Sequence, residues 1–130
     1  MDDTTPLAAR SRFAYSETLE RLTTAIAQAG MTIFAVLDQS AAAQTTGLTL
    51  RPTTLLVFGN PKGGTQLMDA YPLIALDLPL KLAVWDESGS VSVACVRATT
   101  IAERYGVSGY EKLLAMLDRT LETLVASVTE

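Results

Sequence analysis

Two strand-forming runs, LKLAVWD at residues 80–86 and SVSVACVR at 90–97, are separated only by Glu87, Ser88 and Gly89. A parallel connection needs a dozen or more residues, so these runs pair antiparallel through a tight turn. Any sheet grown from this hairpin is antiparallel at its centre. Leu80, Leu82 and Val84 alternate with Lys81, Ala83 and Trp85, and Val91, Val93 and Cys95 alternate with Ser92, Ala94 and Val96. One face is therefore apolar and the other only weakly polar, which predicts a core on the first and a covered surface on the second.

The remaining elements follow from periodicity. MTIFAVLD (31–38) and TTLLVFG (53–59) are continuous β-leaning runs of strand length, and residues 12–15 read as a short first strand. Leu19, Leu22, Ile26 and Ala29 recur at helical spacing, which predicts a helix over roughly 17–29 with Ser16 as N-cap and Gly30 just past its end. AAAQTTG (41–47) reads as a helical turn closed by Gly47, and IAERYG (101–106) as a short helix stopped by Gly106. A last helix opens on Ser108 and Glu111 at capping-box spacing, followed by a Leu113, Leu114, Leu117, Leu121, Leu124, Val128 stripe.

The sum is an α+β domain: a mostly antiparallel sheet of four to five strands with two long helices packed on one face. Residues 1–11 are expected to be a flexible segment and 12–130 a single domain, long enough to bury about two-thirds of its unfolded surface. Charged residues make up 18% of the chain, below the roughly 25% usual in soluble domains. They are too few to coat every face, so the helix-free face or an edge of the sheet is expected to meet a second copy in a homodimer.

Charge and residue inventory exclude several functions. The net charge is −4 and no window clusters Lys and Arg, which argues against nucleic acid as a partner. A lone cysteine and no histidine leave no disulfide and no Cys/His metal set, so neither a metal nor a cofactor is expected. The acidic opening MDDTTPLAARSR and the lack of an apolar run near 20 residues predict no membrane insertion and a cytoplasmic location. Without histidine the usual triads are absent, and Cys95 among valines reads as an inert thiol. Catalysis would rest on Asp, Glu, Lys, Tyr or Cys95 with a strongly shifted pKa, and the candidate bases are Asp38 or Asp77, two carboxylates that could face a shared polar pocket; turn-forming or solvated roles are the competing reading. Trp85 reads as packing at the helix-free face or dimer interface, with a ligand-stacking ring as the alternative, and Tyr105 as packing with a solvated hydroxyl.

Candidate ligand contacts concentrate in FGNPKGGTQLM (58–68). A Walker loop would need lysine where Thr65 stands, and no Gly-x-Gly is present for a dinucleotide. A looser arrangement remains, in which Gly63 and Gly64 take positive φ and free amides form an anion-binding nest beside Asn60, Lys62 and Thr65. The alternative is a strand-to-helix turn in which Thr65 caps TQLMDAY.

GLTLRPTTLLVFGNPKGGTQLM, ALDLPLKLAVWDESGSV and IAERYGV, taken in order, resemble the DUF302 family, with its Arg-Pro entry (Arg51-Pro52), FGNP turn (58–61), Gly64-Thr65 pair and LDLP segment (76–79). The resemblance runs from about Phe13 to Val107 and implies a compact α+β fold in a TBP-like arrangement, commonly dimeric, with no defined reaction. In the family a His commonly follows the position of Asp38, another precedes that of Gly106, and a Tyr-Asn-Asp set follows the second hairpin strand. This chain has Gln39, Tyr105 and Cys95-Val96-Arg97 there, which removes any imidazole chemistry.

These readings lead to a homodimeric module binding a small anionic or amphipathic ligand in a cleft between the 58–68 loop and the 77–79 segment, with Asn60, Lys62, Gly63, Gly64, Thr65, Asp38 and Asp77 as contacts. The alternatives are an interaction domain without a ligand and a carboxylate-based enzyme.

Overall fold

The computed structural model describes residues 5–129. Its sheet has five antiparallel strands, β1 (Leu7–Arg10), β2 (Thr32–Asp38), β3 (Thr53–Gly59), β4 (Leu80–Glu87) and β5 (Ser90–Cys95), in the order β1-β5-β4-β3-β2. The predicted hairpin is β4–β5, turned by Ser88 and Gly89 with φ of 54° and 95°, while Asp86 Oδ1 accepts the Gly89 N–H at 2.7 Å. Two consecutive positive-φ residues suit the right-handed twist of the flanking strands.

The first strand lies at Leu7–Arg10, paired with β5, and not at 12–15. Residues 7–10 of the segment expected to be flexible are thus part of the sheet. Only four residues alternate there, Leu7 and Ala9 facing inward, which is too short a run to stand out before its partner is known. Residues 12–14 instead lead into helix α1 (Tyr15–Gln28), whose N-cap is Ala14 rather than Ser16. Ser11 supplies the local polar closure: its hydroxyl lies 2.6 Å from Thr18 Oγ1 and accepts the Phe13 N–H at 3.1 Å.

The other helices are α2 (Gln39–Gln44), α3 (Pro61–Ala70), α4 (Ala98–Arg104) and α5 (Glu111–Ala126), with a 3-10 turn at Pro72–Leu76. Gly30, Gly47 and Gly106 follow α1, α2 and α4 at positive φ, where a Cβ would be strained, as their positions in the sequence suggest. Leu22 and Ile26 of α1 and Leu114, Leu117, Leu121 and Leu124 of α5 are buried with Leu56, Phe58, Leu82, Val84 and Val93. The core is the layer between these helices and one face of the sheet.

Two helix starts are built differently from expectation. The α5 N-cap position is Tyr110 with no side-chain cap; Glu111 accepts the Gly109 N–H at 3.1 Å, and the Tyr71 hydroxyl receives the Ser108 N–H at 3.1 Å. The Ser108 N–H is met by Tyr71 rather than by Glu111, and Ser108 does not supply a cap. For α4 the cap comes from α5: Asp118 Oδ1 accepts the Ala98 N–H at 2.7 Å and the Thr99 N–H at 3.3 Å, and Oδ2 accepts the Thr99 hydroxyl at 2.6 Å. This cross-helix carboxylate locks α4 to α5 while placing negative charge at a helix N-terminus.

Candidate functional site

The segment FGNPKGGTQLM is a strand-to-helix junction. Asn60 is the N-cap of α3, its Oδ1 accepting the Lys62 N–H at 3.1 Å, and Pro61 occupies the first turn, where its missing N–H costs no helical bond. The helix therefore starts four residues before Thr65. Gly63 and Gly64 are helical rather than at positive φ, and the Gly64 N–H is used by the Asn60 carbonyl at 2.9 Å, so the anion-binding nest does not form. Two glycines that read locally as a helix breaker thus lie inside a helix opened by the Asn60 cap and Pro61.

The glycines differ in what they do. Gly63 is buried, and a β-carbon there would meet Leu113 Cδ1 of α5 at 3.2 Å, so its lack of a side chain permits α3 and α5 to approach. A β-carbon at Gly64 would meet only Met68 Cε, at 3.8 Å, an ordinary contact. Gly64 instead lines a cleft of about 160 Å³ with Phe34, Asn60, Thr65, Met68, Leu78, Pro79 and Leu117. Its walls are mainly apolar, and it is bordered by the two segments that the sequence marked. Phe34 reaches it through a β-bulge: register shifts between Ile33 and Ala35, making Phe34 the extra residue, 50% exposed.

The other expected contacts lie elsewhere. Lys62 is exposed and does not line the cleft, and Gly63 faces α5. Asp38 is the N-cap of α2, with Oδ1 accepting the Ala41 N–H at 2.9 Å and the Ser40 hydroxyl at 2.7 Å. Asp77 borders a second cavity of about 470 Å³ on the face of the sheet away from α1 and α5, with Leu55, Leu76, Lys81, Ala83, Ala94, Ile101 and Arg104. The two carboxylates share no described cavity.

Around Asp77 the polar groups are ordered. Tyr105 donates its hydroxyl to Oδ2 at 2.5 Å, so it is engaged rather than solvated, and Arg104 Nη1 lies 3.4 Å from Oδ1. Lys81 Nζ donates to the carbonyls of Asp77 and Pro79 at 3.2 and 3.1 Å. The Tyr105 hydrogen bond, helped by Arg104 and Lys81, holds the Asp77 carboxyl below the usual range, and the same hydrogen bond pushes the Tyr105 phenol up. Asp38 is also lowered, by Ser40 and then Ala41. A base working near neutral pH needs a raised carboxyl, so neither aspartate has that character. Cys95, buried in β5, is pushed up to about 11 by desolvation and is an un-ionised wall group. Among the described residues no group of three or more His, Cys, Asp or Glu could hold a metal.

A family model described as domain of unknown function DUF302 matches residues 7–124. The chain belongs to the DUF302 family. A crystal structure of an uncharacterized conserved DUF302 protein from Bacillus stearothermophilus superposes with a TM-score of 0.86 at 20% identity, covering 95% of this chain and 97% of that one. The α+β expectation and the family resemblance both hold. This DUF302 chain is also 37% identical over 113 residues to proteins named fluoride-specific ion channel FluC 1 in Brucella suis and Brucella abortus. The match covers 85% of this chain but 44% and 42% of those proteins, so the chain spans less than half the length of these relatives.

Proposed function

We propose that this DUF302 domain is a binding module whose ligand is a small amphipathic molecule seated in the cleft between the β3–α3 junction and Leu78–Pro79. Gly64 carries the reading. Glycine within a helix costs up to about 1 kcal/mol relative to alanine, and here neither positive φ nor a tight contact requires it. Its effect is to keep the cleft open. A cavity of about 150 Å³ accommodates benzene, so about 160 Å³ suits a ligand of six to eight heavy atoms or the end of a longer one. Asn60 spends its carbonyl oxygen on the Lys62 cap, which leaves its amide hydrogens as donors, and the Thr65 hydroxyl adds a second polar group at the rim. Titrating benzyl alcohol while observing the Met68, Leu78 and Leu117 methyls by NMR tests the cleft; absence of saturable shifts there would remove the reading.

The homodimer belongs to the same proposal. Edge strand β2 exposes Phe34, Val36 and Leu37 at 50, 56 and 45%, and an edge strand presenting apolar side chains is a pairing surface. A second copy there would also border the cleft next to Phe34. Fluoride conduction, named for the Brucella proteins, is assigned in this reading to the part of them that this chain does not match. Among the described residues no helix is long and apolar enough to cross a membrane.

A further inference from the structure

We propose that the second cavity, on the opposite face of the sheet, is a separate site for a small carboxylic acid, held by its carboxylate at Lys81 and Arg104 with its apolar body over Ala83, Ala94 and Ile101. The cavity's volume of about 470 Å³ falls within the roughly 300–1,000 Å³ of small-molecule sites. Its floor is made by Leu55, Ala83 and Ala94, which stand in register on β3, β4 and β5 and leave space where larger side chains would fill it.

Hydrogen-bonding capacity identifies the head group. Both Asp77 carboxylate oxygens are engaged, Oδ2 by Tyr105 and Oδ1 by Arg104. Lys81 has three donors, of which two go to the Asp77 and Pro79 carbonyls, and Arg104 has five, with one Nη1 contact to Asp77. Lys81 and Arg104 therefore keep unused N–H donors at this end of the cavity, and these suit a head that only accepts. Charge identifies it further. Two cations and one carboxylate give a local excess of one positive charge in a chain of net −4. A monoanionic carboxylate neutralises that excess; a phosphate monoester, at about −1.5 to −2, would overcompensate it. The Tyr105 and Arg104 contacts hold Asp77 in place, and Asp77 in turn holds Arg104, so the donors are positioned before a ligand arrives. Segment 77–81 separates the two sites: Leu78, Pro79 and Leu80 line the first cleft, and Asp77 and Lys81 line this one.

The test is methyl NMR on the full chain with hexanoate as probe, and hexanamide and hexyl phosphate as comparisons. Hexanoate is expected to give saturable shifts at Ala83, Ala94 and Ile101, with hexanamide at least tenfold weaker. Lys81→Gln should weaken hexanoate by about tenfold, one decade in Kd, while the methyl signals of the buried Leu121 and Val93 stay in place to report an intact core. Gly64→Leu, which fills the first cleft, should leave hexanoate binding unchanged and so separates this site from the one above. Equal binding of hexanamide, tighter binding of hexyl phosphate, or no saturable shift at these methyls would each overturn the assignment.

Discussion

Replacing Gly64 by alanine separates folding from binding at one position. The new β-carbon meets only Met68 Cε at 3.8 Å, and the backbone is already helical, so no strain opposes the change. Reduced freedom of the unfolded chain and better helix propensity should then stabilise the fold by about 0.5–1 kcal/mol. An unfolding entropy near 2.1 cal/mol/K per residue over 130 residues converts this to a rise in Tm of about 2–4 °C. The same methyl enters the cleft and takes space from a ligand. Gly64→Leu does so more fully and keeps a good helix former. Differential scanning calorimetry and benzyl alcohol titration should therefore diverge: the alanine variant melts higher and binds more weakly, and the leucine variant loses at least tenfold in affinity. Gly63→Ala is the control, since Leu113 Cδ1 at 3.2 Å must give by a few tenths of an ångström, which opposes the helical gain, and Gly63 does not line the cleft. A lower Tm for Gly64→Ala would show that the glycine serves packing, and unchanged binding in Gly64→Leu would show that the cleft is not the site.

Other consequences can be checked independently. Asp118→Ala should cost about 1–2 kcal/mol in urea unfolding, because it strips the α4 cap and leaves the N–H of buried Ala98 without its acceptor; Asp118→Asn, which keeps one oxygen, should recover more than half, and a loss below about 0.5 kcal/mol for alanine would refute the cap. Tyr105→Phe should move the Asp77 pKa up toward about 3.9, read by carboxyl NMR. Because the folded value is depressed, the associated stability is present above about pH 3.9 and fades as pH falls through the folded value; wild type and variant should differ at pH 6, and the difference should shrink as pH falls through the folded value. Raising the Cys95 thiol from 9.0 to about 11 lowers its thiolate fraction about 100-fold, so iodoacetamide at pH 8 should modify the native protein at least that much more slowly than the urea-unfolded chain. On the proposed β2-edge dimer, wild type is expected to sediment as a dimer and Val36→Lys as a monomer, with the cleft intact because Val36 does not line it; a wild-type monomer would refute the dimer.

Sequence alone determined the hairpin, strands β2 and β3, the outlines of α1, α2, α4 and α5 and the glycines that end the first three, because these depend on residues within one turn or one strand length of each other. Alternation along β4 and β5 specified which side chains enter the core, and it did so with no knowledge of the partner strands. The β3–α3 junction was legible as a place, and Asn60, Gly64 and Thr65 do line the cleft there. Its conformation was not, since local propensity reads Gly63-Gly64 as a break, whereas both residues lie in a helix opened by the Asn60 cap and Pro61, with Gly63 buried. β1 was missed for a related reason: four residues carry too little periodicity until β5 supplies the hydrogen bonds. Asp118, 20 residues from the helix it caps, and the Asp77–Tyr105–Arg104 cluster, spanning 28 residues, carry no local spacing signal at all. Phe34 entered the site through a bulge that appears only when β2 is laid against β3. Propensity and alternation act along the chain, but cavities and cross-element hydrogen bonds depend on which surfaces meet, and only the packed tertiary structure decides that.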